Sequence, residues 1–455
     1  MRIHDTLSDE KVELEPLDGE RVRLYVCGVT PYSQSHVGHA LKSVVFDVLR
    51  RYLEWRGFAV HHVENFTDID DKLIERAAAL GITVSELAEQ NIDDYLRNLE
   101  RMNVLPATSY PRVSEKLPEI IRFIEGLIER DFAYVSEGDV YYRVRKKPDY
   151  GKLSHRNIDD LKSGARIDPS ERKDDPLDFA LWKAAKPGEP SWPSPWGPGR
   201  PGWHIECSAM ALAELGEQLD IHGGGADLIF PHHENEIAQS EAYTGKSPFA
   251  RIWMHNALLR FGAEKMSKSL GNVVTIGEAL DKHGPDAFRM FVLSSHYRSP
   301  VTYSDEALES ARAGAERLRA AAFAQNPAGQ TEAAIDGVAA RERFIQVMDD
   351  DLNTPQAVAV LFDLAREINR GRDAGCDIRP AQATLRELAG VLGFTLAAPP
   401  AHGREAAPFI DLLVRVRSEL RAKKEWALAD SIRDGLAGLG VELKDGPTGT
   451  EWSAR

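Results

Sequence analysis

The feature that most constrains the fold lies near the start of the chain. Val22-Arg23-Leu24-Tyr25-Val26 is a short apolar run that reads as a buried strand. It passes into Cys27-Gly28-Val29-Thr30-Pro31, a loop by composition. From Leu41 to Arg56 the spacing of Val44, Val45, Val48, Leu49 and Leu53 predicts a helix, ended by Gly57. Ala59-Val60-His61-His62-Val63 then reads as a second strand. Strand, helix and strand this close together make a parallel crossover unit. The class is therefore α/β, a Rossmann-like doubly wound parallel sheet.

Beyond this unit, Thr67-Asp68-Ile69-Asp70 opens a helix that ends at Gly81, with Thr67 and the carboxylate three residues on as a capping box. The expected division is 1–110 for the first half of the catalytic domain and 111–202 for an insertion. Residues 203–305 form its second half and 306–396 an all-α bundle, followed by a linker at 397–408 and a small end domain at 409–455. A basic run, Arg421-Ala422-Lys423-Lys424, falls between the helices of that end domain.

Bulk properties exclude some classes. No run of 18 apolar residues occurs, which argues against a membrane span. The first residues lack the basic and apolar pattern of a signal peptide. Three cysteines fit a reducing cytoplasm better than a disulfide scaffold. A net charge of −15 means that any nucleic acid must be met by local basic patches.

Two strings carry phosphate chemistry. His36-Val37-Gly38-His39 stands where α/β sheets bind phosphates, between the first strand and its helix. Two imidazoles three residues apart can face one ligand, and Gly38 leaves room for its approach. Lys265-Met266-Ser267-Lys268-Ser269, closed by Gly271-Asn272, places two ammonium groups where they can neutralise a departing pyrophosphate.

A third constellation suits a metal. His232 and Glu236 are four residues apart, on one face if the segment is helical, and Pro231 fits a helix start. Cys207 follows Gly202-Trp203-His204-Ile205-Glu206, and Cys27 ends the first strand. Together they offer two thiolates, an imidazole and a carboxylate to one Zn²⁺. His233 and Glu234 are rival ligands, but on a helix His233 would point about 100° away from His232. Cys376 lacks such company. His222-Gly223-Gly224-Gly225-Ala226-Asp227 reads as a glycine-rich turn after a short strand, suited to a close approach by adenosine at Gly225 and a ribose bond at Asp227.

The first two strings resemble the HIGH and KMSKS signatures of class I aminoacyl-tRNA synthetases. The metal set, with Asn65–Lys72, Gly151–Ser154, Leu181–Lys186, Gly202–Ser208 and Asp220–Asp227, is similar to the cysteinyl-tRNA synthetase family. The resemblance implies formation of an aminoacyl-adenylate, with His36, His39, Lys265 and Lys268 catalytic and Gly38, Gly225 and Asp227 also at the ATP. It implies one zinc held by Cys27, Cys207, His232 and Glu236, to which the substrate thiolate adds, and a cysteine pocket with Gly28, Thr67 and Trp203. Zinc prefers a soft thiolate to a hydroxyl, which would separate cysteine from serine without an editing domain.

The implied partners are L-cysteine, ATP with Mg²⁺ and tRNA(Cys), for a cytoplasmic monomer. Trp426 and Trp452 would be candidates for stacking on bases, although Trp426 reads better as hairpin core. Val29-Thr30-Pro31-Tyr32 and Leu41 depart from the family pattern and lean towards a related ligase that joins cysteine to an amino-sugar in mycothiol synthesis. The anticodon-type tail favours the tRNA enzyme.

Overall fold

The computed structural model describes residues 1–157, 172–186, 189–261, 264–265, 274–327, 333–397, 402–446 and 449–454. The chain divides into two compact units, Met1–Leu396 and Ala397–Arg455.

The first unit opens with a hairpin of β1 (Arg2–Asp5) and β2 (Glu10–Glu13), followed by β3 (Arg21–Val29), α1 (Val37–Trp55) and β4 (Ala59–Phe66). α2 (Asp71–Leu80), α3 (Val84–Arg101) and α4 (Leu117–Glu129) lead into an antiparallel sheet of β5 (Ala133–Ser136), β6 (Asp139–Tyr142), β7 (Phe179–Ala184) and β8 (Gly199–Pro201). The chain then returns through α5 (Trp203–Leu215), β9 (Leu219–Gly225), α6 (Glu234–Thr244) and β10 (Ala250–Asn256).

The central sheet has the order β10-β9-β3-β4 and is parallel throughout. β3 is nearly all buried because both its faces are covered, as parallel sheets require. Alternation assigns its side chains to two cores. Val22, Leu24 and Val26 pack with α1 in one, whereas Tyr25 and Cys27 turn to the other, which contains Cys207 of α5 and Ile237 of α6. This parity delivers Cys27 to the α5–α6 side.

Beyond β10, β11 (Leu259–Phe261) pairs with β12 (Glu264–Lys265) and, in parallel, with β13 (Val301–Tyr303). α7 (Ile276–His283) and α8 (Pro285–Leu293) lie between them in sequence. Four helices follow: α9 (Asp305–Ala322), α10 (Val338–Met348), α11 (Thr354–Asp373) and α12 (Arg379–Val391). Arg289 of α8 is fully buried and joins these layers, bonding Asp47 of α1 and the carbonyls of Met102, Asn103 and Leu392. The α/β class and the helical region after it are those expected from sequence.

The second unit is a helix pair, α13 (His402–Ala422) and α14 (Trp426–Gly438), with an antiparallel ribbon of β14 (Val441–Gly446) and β15 (Gly449–Ala454). Its small core is Ile410, Leu436 and Val441, and Arg417 bonds Asp445 through both terminal guanidinium nitrogens. Helix α13 starts inside the stretch that composition assigns to a linker, because its Ala and Glu residues propagate a helix well. Trp426 is 55% exposed, so it is not hairpin core. Trp452 bonds Asp411 through its indole N–H.

Candidate metal and nucleotide site

Four donor groups converge on the α5–α6 face of the sheet. Cys27 Sγ lies 3.7 Å from Cys207 Sγ, 3.5 Å from His232 Nε2 and 3.6 Å from Glu236 Oε1, and His232 Nε2 is 3.1 Å from the same Glu236 oxygen. A tetrahedral zinc site has bonds of about 2.3 Å to sulfur and about 2.1 Å to nitrogen or oxygen. Its edges are then roughly 3.8 Å between sulfurs, 3.5 Å from sulfur to nitrogen or oxygen, and 3.4 Å between the last two. The measured separations follow that order, so the donor set fits zinc in number, type and spacing.

The residues reach these places by several local devices. Cys207 is carried one turn into α5, and Glu236 lies in the first turn of α6. His232 and Glu236 lie in one stretch of helical backbone that starts after Phe230, and their side chains meet at 3.1 Å as the four-residue spacing predicts. The segment Ile229–His233 is a wider turn interrupted at Phe230, beyond which the backbone stays helical into α6. His233, which the same spacing turns away from His232, also reaches the cluster. Its Nε2 stands 3.3 Å from Cys27 Sγ, so both histidines turn to the same thiol, from different sides. Cys27, His222, His233 and Glu236 form a second convergent set, with less regular separations. Glu234 is turned elsewhere and accepts the backbone N–H groups of Gly151 and Ser154.

Outer partners fix the donors. Glu236 gives Oε1 to the cluster and Oε2 to His222 Nε2 at 2.9 Å. His232 Nδ1 meets His204 Nδ1 at 3.0 Å. Burial, aided by His232, holds His204 well below the ordinary histidine range, which suits it to accept that proton. His233 Nδ1 meets His255, which in turn meets Thr6. Sequence reasoning missed His204, His222 and His255 as partners. Only the crowding of histidines around Cys207 and Glu236 could have signalled them.

The charges are strongly coupled. Burial raises the Glu236 carboxyl, but the facing His222 and His232 outweigh it and pull the value to about 2. Burial likewise lowers His232, yet Glu236 and Cys207 bring it up to about 10. The hydrogen bond from Cys27 draws the Cys207 thiol down to about 6, while burial and the Cys207 sulfur push Cys27 up. The metal-free pair of thiols thus sheds one proton readily and keeps the other.

Around the cluster, Gly28 is required by close approach, since a Cβ there would lie 1.6 Å from the Asn65 carbonyl oxygen. Thr67 does not cap α2. Asp70 does, accepting from the Lys72 N–H, and Thr67 is buried with its hydroxyl bonded by Asn65. Trp203 is not core either. It stacks on His232 at 4.3 Å and, 41% exposed, lines an open cleft of about 820 Å³ with Tyr32, Lys72 and Lys183.

The expected nucleotide residues His36, Gly38 and His39 lie at the start of α1. His36 is the N-cap, its Nδ1 accepting from the Gly38 N–H, while His39 Nδ1 accepts from the His36 N–H. Their rings stack at 3.9 Å. The expected glycine-rich turn is instead the end of strand β9, paired with β10 as far as Gly225. Glycine is a poor strand former. Here Gly224 is needed, because a Cβ would meet His233 at 2.9 Å. Asp227 follows in a short exposed turn. Met266-Ser267-Lys268-Ser269 and the Lys265 side chain lie outside the described residues. The chain on either side is placed. β12 brings Lys265 in on β11, and the chain beyond is bonded to the start of α1. The Val37 N–H donates to the Val274 carbonyl and the Ile276 N–H to the Ser35 carbonyl.

The chain is similar to known proteins over its whole length. Residues 13–313 match the family of tRNA synthetases class I (C) catalytic domain, and residues 343–397 match a DALR domain. The chain is 54% identical to a cysteine–tRNA ligase of Dehalococcoides mccartyi, with 100% of each covered. It is 50% identical to one from Geobacillus thermodenitrificans, covering 99% of this chain and 98% of the relative. In fold it is similar to Mycobacterium tuberculosis methionyl-tRNA synthetase in complex with methionyl-adenylate, at a TM-score of 0.60 and 16% identity, covering 87% of this chain and 94% of the other. On the strength of the full-length relatives and the catalytic-domain match, this chain belongs to the cysteine–tRNA ligase family of class I tRNA synthetases.

Proposed function

We propose that this chain activates L-cysteine with ATP and Mg²⁺ and transfers it to tRNA(Cys). The observation that carries the amino-acid choice is the convergence of Cys27, Cys207, His232 and Glu236 at zinc-like separations. One zinc held there would supply selectivity, because it favours the soft thiolate of cysteine over the hydroxyl of serine. Gly28, Thr67 and Trp203 bound the amino-acid pocket in this reading. The start of α1 attracts phosphate oxygens through its free backbone N–H groups and dipole. His36 and His39 face those phosphates, and Gly225 and Asp227 receive the adenosine.

In the first step a carboxylate oxygen of cysteine attacks the α-phosphorus of ATP. A new P–O bond forms, the bond to the β-phosphate bridge breaks, and pyrophosphate departs with its charge met by Lys265 and Lys268. A hydroxyl of the terminal adenosine of tRNA then attacks the carbonyl carbon, loses its proton, and AMP leaves. The relatives' full-length match, including the DALR region, supports tRNA over an amino-sugar as the acceptor. Among the described residues no helix is long and apolar enough to cross a membrane. We place the enzyme in the cytoplasm as a monomer.

The test is exchange of labelled pyrophosphate into ATP. Cysteine should drive exchange and serine should not, and aminoacylation should follow with tRNA(Cys) but not with an amino-sugar. No cysteine-dependent exchange removes the adenylation reading. Transfer to the sugar removes the acceptor reading.

A further inference from the structure

Strand β3 breaks its register at the residue that supplies a sulfur to the site. Its pairing with β4 shifts between Val26 and Val29, leaving Cys27 and Gly28 without register partners on that strand. Two side chains take over. Asn65 Oδ1 accepts the Gly28 N–H at 3.0 Å, and Lys42 Nζ donates to the Cys27 carbonyl at 2.8 Å.

Lys42 is an unusual residue for that task. It lies in α1, three residues beyond His39, and is buried. Its ammonium also meets Glu64 Oε1 of β4 at 2.7 Å, and Glu64 is buried as well. The Tyr95 hydroxyl donates to the same oxygen at 2.8 Å and stands 2.9 Å from Ser43 Oγ. Removing both charges from water is costly, and an apolar pair of similar volume commonly supports a fold as well or better. Stability alone therefore does not account for the pair. What an apolar pair cannot do is hold the Cys27 carbonyl.

We propose that Lys42, oriented by Glu64, is a positioning residue for the metal centre. By fixing the Cys27 backbone at the register break, it sets where Cys27 Sγ stands among Cys207, His232 and Glu236. It also ties the sulfur end of the site to the helix whose first turn carries His36 and His39. The inference rests on the metal reading above.

The experiment uses full-length protein carrying Lys42→Met, Lys42→Met with Glu64→Leu, or Cys27→Ala. Lys42→Met alone leaves Glu64 buried and unpaired and is expected to melt early, so the double variant decides. It should melt at or above the wild-type temperature. It should nevertheless hold zinc about 10- to 100-fold less tightly in competition with a chromophoric chelator, as loss of an outer-partner contact does. Its KM for cysteine in pyrophosphate exchange should rise, while its KM for ATP stays unchanged. A stable double variant with wild-type zinc affinity and cysteine KM overturns the inference. Wild-type protein without one zinc per chain, or Cys27→Ala protein that keeps it, overturns the metal reading itself and this inference with it.

Discussion

Two candidate regions near the carboxyl end of β3 differ in construction. On the sulfur side, Cys27, Cys207, His232 and Glu236 are all at most 4% exposed; buried Lys42 holds the Cys27 carbonyl, buried His222 holds Glu236, and half-buried His204 meets His232. On the phosphate side, His36, Gly38 and His39 are half-buried at a helix start. The first region has desolvated its charges before any ligand arrives, which suits discrimination between two small side chains. The second keeps its donors at the surface of the cleft, which suits a large, charged ligand that must enter and leave. In the proposed function the selective side is buried in advance, whereas the phosphate side stays open to its ligand.

The sharpest way to break that contrast is to remove one member from each side. Cys207→Ala should abolish stoichiometric zinc and lower cysteine-dependent pyrophosphate exchange about 10³-fold, the scale of several kcal/mol that a metal supplies. Serine should then be rejected less well, and retained selectivity would make the metal purely structural. His39→Ala should lower kcat for exchange by about 10²- to 10³-fold, as removal of one charge-stabilising donor does. Its zinc content and cysteine KM should stay as in the wild type. Loss of zinc from the His39 variant would show that the two regions are not separable.

A smaller effect sharpens the electrostatic side. In the metal-free protein the raised His232 contributes stability below its ordinary value, which is lost as pH climbs through about 10. The lowered Glu236 contributes above its ordinary value, and that is lost as pH falls towards about 2. Zinc requires His232 neutral and both sulfurs as thiolates. At neutral pH His232 and Cys27 must each give up a proton, whereas Cys207, near 6, has largely done so. Binding should release about two protons, so affinity rises about 100-fold per pH unit near neutrality. Calorimetry in buffers of different ionisation enthalpy measures that number, and zero protons released would contradict the assigned charges.

How much of this was legible depends on whether a partner is near in sequence. The β3–α1–β4 unit and the histidines at the start of α1 follow from local periodicity and the place of a helix start. Cys27, Cys207, His232 and Glu236 were identifiable by residue type, and the helical spacing that joins His232 to Glu236 is present in the fold. Thr67 matched a capping pattern, but Asp70, nearer the first helical residue, takes the Lys72 N–H. Three glycines in a row suggested a turn. In β9 they make room for Phe46 and His233, neighbours that no local pattern names. Lys42, Glu64 and Asn65 were silent for the same reason. A buried ion pair between a helix and the next strand looks, in sequence, like two surface charges.

The bond between Val37 and Val274 bears on how the lysines of the second motif find the first. In sequence Lys268 lies more than 200 residues from His39. In the fold it belongs to a span of only eight residues, held at Lys265 by β12 and at Val274 by the start of α1. The entropy of closing a chain grows with the logarithm of its length, about 0.6 kcal/mol per doubling. On the proposed function, shortening the effective span some 25-fold removes roughly 3 kcal/mol from the cost of bringing the two lysines to the phosphates. Folding meets that cost once, and turnover does not meet it again.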